Sequence, residues 1–162
     1  MRTTRRPPAA TTLRSAFIAA SAAWAVLLIA VPFLASRPHA SALGSALIAG
    51  VYVIGSAVCH QLPERSYHLW AAQMPVCARC AGIYFGAVVG AVGAGLFRRG
   101  RSPAFQYPRA WLTIAAAPTV VTLVYEWTTG VMPSHAIRFA AGLAIGLVVA
   151  WLVVRATDNQ VN

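Results

Sequence analysis

The residues best equipped for chemistry are gathered in one stretch. It reads Cys59-His60-Gln61-Leu62-Pro63-Glu64-Arg65-Ser66, passes through Tyr67 and His68, and ends in Pro75-Val76-Cys77-Ala78-Arg79-Cys80. All 3 cysteines of the chain lie here. A Cys-x-x-Cys spacing lets two thiolates grip one ion, and Cys59 with His60 would complete a Cys3His set of the kind that suits tetrahedral zinc. Thiolates also accept copper or iron. Neighbouring residues seldom ligate the same ion, so His68 and His135 stand as alternatives to His60 for the fourth position. The metal ligands expected from spacing are therefore Cys59, His60, Cys77 and Cys80.

Two other readings compete. Cys77 and Cys80 open an apolar run, and at a helix start the free N–H groups and the dipole lower a thiol pKa. Arg79 adds positive charge between them. Such a pair could cycle between dithiol and disulfide, with Cys59 as a third partner. The blander reading treats the cysteines as small buried hydrophobes. Four further residues are candidates for a polar site: Arg65, Arg79, Glu126 and Arg138. Arg65 and Arg79 could grip an anion or a partner, which would make the chain a non-enzymatic accessory or transport-related protein. For Glu126 and Arg138, both at ends of apolar runs, we expect an interfacial pair or an arginine reaching to headgroups in preference to a buried ion pair.

These residues must be positioned by apolar elements. Five apolar runs cover roughly 16–34, 42–58, 81–97, 111–127 and 137–154. Each approaches the ~20 residues that cross a ~30 Å hydrocarbon core. Backbone groups in lipid must be satisfied within a segment, so the runs predict an all-α integral membrane bundle of about five transmembrane helices. Pro32 is expected to end the first helix, and Pro118 to sit in a first turn or a kink. The domain organisation expected is a disordered basic tail at 1–15, one transmembrane domain at 16–156 carrying the Cys/His loop 59–80, and a polar tail at 157–162. The first run has signal-peptide features but is longer than the usual ~7–15-residue core, so we read it as a retained helix.

Composition agrees with a bilayer. The 162 residues are 59% hydrophobic and 10% charged, against roughly 45–50% and ~25% in soluble domains. The formal charge is +10, and all the basic residues are arginines placed mostly at the ends of the apolar runs. That is the pattern of topology signals. It is not that of a nucleic-acid surface, and we expect no nucleic-acid partner. The sequence holds no carboxylate pair suited to hydrolysis, no nucleotide-binding loop and no Ser/His/Asp arrangement. The lipid bilayer is the expected partner and the cell membrane the expected location, with several passes.

Glycines at 82, 86 and 90, and at 142 and 146, fall on single helix faces, where backbones can approach closely. They read as packing surfaces, within a compact bundle or between copies in a homo-oligomer. Five crossings would place Cys59, His60, Cys77, Arg79, Cys80, Glu126, His135 and Arg138 at one membrane face. The same count puts the N-terminal arginines and the loop with Arg98, Arg99, Arg101 and Arg109 on opposite sides, so orientation stays open.

The residues quoted above resemble the signature of an uncharacterised family of prokaryotic membrane proteins, the domain of unknown function 2085 family. The resemblance rests on Cys59-His60-Gln61, on Pro63 with Arg65-Ser66, and on Pro75, Cys77, Arg79, Cys80, Gly82 and Tyr84. Glu126 and the Arg138-x-x-x-Gly142 start of the last run are similar to later family features. It covers roughly residues 45–150. Ala81 and Glu126 depart from the family's Thr and Asp. The resemblance implies that these residues form one unit and brings no activity with it.

Overall fold

A computed structural model describes residues 8–38, 41–96 and 107–159. The elements are α1 (Pro8–Ala35), α2 (Ala42–Val58), a 3-10 turn (Pro63–Arg65), β1 (Ser66–Leu69), β2 (Ala72–Cys77), α3 (Ala78–Leu96), α4 (Pro108–Thr129) and α5 (His135–Asn159). The expected helical membrane bundle holds. Four helices are long and apolar enough to cross a bilayer: Thr11–Ala35, Ala78–Leu96, Pro108–Thr129 and His135–Thr157. The remaining helix, α2, is apolar but only 17 residues long.

Helix runs into both segments read as tails. α1 begins at Pro8, a residue suited to the first helical position because its missing N–H would have no helical partner there. Residues 8–15 are therefore helix, and residues 1–7 lie outside the described residues. At the other end α5 continues to Asn159, and 160–162 lie outside. Arg98, Arg99 and Arg101 also fall outside, whereas Arg109 sits exposed in the first turn of α4. Pro32 lies inside the last turns of α1, and Pro118 in the middle of α4. The latter removes one N–H from the ladder but leaves the helix running.

The segment expected as the Cys/His loop contains a β-hairpin. β1 and β2 pair antiparallel with Ser66 opposite Cys77, His68 opposite Gln73 and Leu69 opposite Ala72. Trp70 and Ala71 connect them, both at positive φ (54° and 64°). That is the two-residue turn whose twist matches a hairpin, although neither residue is a glycine. The Trp70 ring lies edge-on to Phe33 of α1 at 5.2 Å between centroids, which helps hold the turn.

α3 and α5 form the centre of the bundle. A Cβ at Gly82, Gly86 or Gly90 would collide with the carbonyl oxygens of Phe139, Leu143 and Leu147 in turn; one at Gly142 or Gly146 would collide with those of Arg79 and Ile83. Numbers rise together on both helices, so they run parallel. The stripes continue in buried Ala78 and Ala94 on α3 and in buried Arg138, Ala150 and Val154 on α5. The glycine faces are thus used inside the chain. Without side chains at these positions, two backbones of one chain fit there. α1 runs antiparallel to α3. Leu28 shares a core with Ala81, Trp24 stacks edge-on to Tyr84 at 5.8 Å, and Ile18 reaches Gly95. α4 joins through the Thr119 hydroxyl, which donates to the Ala141 carbonyl at 3.0 Å.

Gly86→Leu should force α3 and α5 apart and cost about 3 kcal/mol or more, because a side chain would have to fit where two backbones touch. Gly50→Ala, which has open space around it, should be neutral or stabilising by up to ~1 kcal/mol. Thermal unfolding of the two variants in one detergent checks the contrast.

Candidate functional site

Each cysteine arrives on a different element. Cys59 caps the C-terminus of α2, its N–H bonded to the Gly55 carbonyl at 2.9 Å. Cys77 ends β2 and Cys80 lies in the first turn of α3. Their three sulfurs lie within 4.8 Å of one another. The Cys77 N–H donates to Cys59 Sγ at 3.2 Å. Leu28, Met74, Val76 and Ala81 surround the trio with apolar surface, and Cys59 itself is only 8% exposed.

The corner 59–61 is pinned to the hairpin. Gln61 has positive φ (49°). Its side-chain amide donates to the carbonyls of Tyr52 (2.9 Å) and Pro75 (2.6 Å), while the Gln73 amide donates to the Gln61 carbonyl at 2.5 Å. The Tyr52 hydroxyl donates to the Gln73 carbonyl. Gly55 makes this approach possible, since a Cβ there would strike the Pro75 carbonyl and the Gln61 amide. Ser66 is buried and donates to the Leu62 carbonyl at 2.9 Å, closing the turn that carries Arg65. Gln61 and Ser66 are therefore posts for the cysteines. Spacing alone had singled out neither for that role.

Among the described residues no histidine joins the sulfurs. His60 and His68 are exposed. His135 packs its ring 5.3 Å from that of Tyr67, and its buried Nε2 has no hydrogen-bond partner. Among the described residues the sulfur trio is the group that could hold a metal ion. The Cys77 thiol is lowered to about 5. The main cause is a hydrogen bond from the Cys80 thiol, which outweighs the opposing effect of burial. The Cys80 backbone, Cys59 and the charge of Arg138 act in the same direction.

Beside the sulfurs lies a charged group. Arg65 Nη2 meets Glu126 Oε1 at 2.5 Å, and Arg79 Nη2 stands 4.0 Å from Glu126 Oε2. Arg79 also donates to the Thr122 hydroxyl at 3.2 Å. Arg138 is 1% exposed, and its Nη1 meets the Met132 sulfur at 3.4 Å. So Glu126 pairs with Arg65 and Arg79, and Arg138 is buried instead of reaching to headgroups. This overturns the interfacial expectation. The reason is the tight α3–α5 contact, which places Arg138 on the buried stripe of α5. Thr122 and Met132 were missed by sequence reasoning. Thr122 was within reach, because it sits one helical turn before Glu126 on the same face of α4.

Over residues 59–152 the chain matches the family described as "Predicted membrane protein (DUF2085)", and it belongs to that family. It is a multi-pass membrane protein. The chain is 32% identical to "Uncharacterized protein MJ1492" of Methanocaldococcus jannaschii over 107 residues, covering 64% of this chain and 65% of that protein. It therefore spans just under two thirds of that relative's length. It is 32% identical to an "Uncharacterized protein" of Methanothermobacter thermautotrophicus over 98 residues, covering 59% of this chain and 83% of the other. No solved structure matches.

An ordinary thiol titrates near ~8.5, whereas Cys77 is held near about 5. The folded state thus gains stability that is complete above ~8.5 and fades as pH falls through about 5. In protein stripped with a chelator, iodoacetamide labelling of Cys77, followed by peptide mass spectrometry, should keep a plateau down to ~6 and be halved near about 5. A half-point near ~8.5 would show an ordinary thiol.

Proposed function

We propose that this membrane protein holds a thiophilic metal ion, zinc in the first instance, on Cys59, Cys77 and Cys80 at one membrane face. The observation that carries the reading is the convergence of three cysteines from three elements to within 4.8 Å. Sulfurs on one zinc at ~2.3 Å stand ~3.8 Å apart, so closing each pair by ~1 Å or less completes the set. Metal binding requires thiolates, and Cys77 is already anionic at neutral pH. Copper and iron compete for the same sulfur ligands.

The fourth position comes from outside the trio. His60 is exposed next to Cys59, and for it to ligate, the 59–61 corner would have to turn against the two bonds of the Gln61 amide. A site of three protein ligands with one open position is the arrangement of metals that exchange a ligand. A tricysteinate zinc centre carries one negative charge, and the Arg138 guanidinium, whose field reaches Cys77, offsets it.

A second reading is favoured by the low pKa of Cys77 with Cys80 as its hydrogen-bond donor. In that reading the Cys77–Cys80 pair closes to a disulfide and passes two electrons to an acceptor such as a quinone, whose two protons come one from the Cys80 thiol and one from solvent.

Elemental analysis of detergent-purified protein beside Cys77→Ser, with a free-thiol count on each, decides between them. The metal reading expects about one zinc, copper or iron per chain, lost in the variant. Absence of metal with two thiols missing until reductant is added would replace it with the disulfide reading.

A further inference from the structure

Around the sulfur trio the charges do not balance. Arg65, Arg79 and Arg138 gather around one carboxylate, Glu126. A tricysteinate zinc on the sulfurs would add one negative charge and still leave one positive charge over. Arg138 is 1% exposed, its Nη1 donates to a thioether, and its Nε has no hydrogen-bond partner; the Nε of Arg79 has none either. Arginine in a membrane segment is costly and calls for a counter-charge.

A groove of about 310 Å³ opens between α4 and the start of α5, with Thr122, Tyr125, Met132 and Ile137 in its walls. Two of these residues are the ones the arginines touch, Thr122 by Arg79 and Met132 by Arg138. Arg79 and Arg138 are not themselves in the groove wall but stand directly behind it, each against one of its lining residues.

We propose that this is a binding site for an amphiphile with an oxyanion head, a phosphate or carboxylate on an acyl or prenyl chain. The head sits against Arg79 and Arg138, whose planar forks suit two-oxygen recognition. The chain follows the groove past Ile137 toward lipid. The site needs only the arginines and the groove, so it stands whether or not the thiols hold metal.

The test uses the full chain in nanodiscs of phosphatidylglycerol and phosphatidylcholine, with retained lipid counted by native mass spectrometry. Wild type should retain the anionic lipid ~10-fold over the zwitterionic one, and millimolar inorganic phosphate should not displace it. Arg79→Gln, and Ile137→Trp, which fills the groove and keeps the charges, should both lose the preference. Equal retention of the two lipids, or a preference surviving in Ile137→Trp, overturns the proposal. Displacement by inorganic phosphate also overturns it, in favour of a free oxyanion.

A separate observation concerns α2. Leu28 and Cys59 belong to one core cluster, which puts them at similar depths. Ala35 is about 10 Å further along α1. Had α2 crossed the bilayer, its start would lie ~25 Å below Cys59, and the chain from Ala35 to Ala42 would have to cover ~35 Å. Even fully extended it reaches ~25 Å, and Ser36 and Arg37 are folded back onto Pro32 and Leu34. We infer that α2 stays on the cysteine side and that the chain crosses four times.

The start of α1, the end of α3, the start of α4 and the end of α5 then share one side. Arg2, Arg5, Arg6, Arg14, Arg98, Arg99, Arg101, Arg109 and Arg155 flank those ends. On the other side Arg65, Arg79 and Arg138 belong to the site, and Arg37 lies over the Phe33 ring. The basic side is cytoplasmic by the positive-inside rule, so the cysteine centre faces outward, into an oxidising compartment.

Ser41→Cys, Glu64→Cys and Ser102→Cys, each compared with wild type, test this with a membrane-impermeant maleimide on intact cells. Labelling at 41 and 64 but not at 102, until the cells are permeabilised, is expected. Labelling of 41 together with 102 and apart from 64 would restore a crossing by α2. Labelling of 102 alone would invert the orientation.

Discussion

The contact between α3 and α5 governs the molecule. In lipid, two helices gain nothing by hiding apolar surface from water, so they associate through close van der Waals contact. Glycine at 82, 86, 90, 142 and 146 lets backbone meet backbone. Because the two helices run parallel, both N-termini come to one depth. Cys80 and Arg79 on one helix thus stand beside Arg138 on the other. Two helix starts at one place direct free N–H groups and partial positive charge at the same region, and thiolates and anions are the groups stabilised there.

The rest of the structure completes what that contact begins. The hairpin brings Cys77 to the top of α3, and the paired amides of Gln61 and Gln73 tie the end of α2 to β2. Such polar groups would be costly at a membrane if left unpaired, and here they donate to backbone carbonyls, Gln61 to those of Tyr52 and Pro75 and Gln73 to that of Gln61. α4 contributes Glu126 and Thr122 from a single buried face. The carboxylate engages two arginines and leaves the third, Arg138, against the sulfur trio. The site's electrostatics thus follow from the faces that three helices turn inward.

Several features were legible in the residues. The long apolar runs required helices, because backbone in lipid has no other partner available along one segment. The four-residue glycine spacing identified the packing faces, though not what would fill them. The cysteine cluster was visible from proximity along the chain. The hairpin was not, because its turn uses Trp70 and Ala71 at positive φ with no glycine to mark it. Nor was the burial of Arg138, since a charge at the end of an apolar run reads equally as interfacial.

By itself the sequence determined the environment, the helices and the set of reactive side chains, since these depend on composition and on spacing within single segments. Only the tertiary structure decided which members of that set meet. It brought Cys59 to Cys77 and Cys80, left His60 exposed, gave Glu126 to Arg65 and Arg79, and closed the glycine faces on each other. The physical reason is that such meetings depend on the depth and rotation of whole helices, set by backbone contacts between segments far apart in the chain.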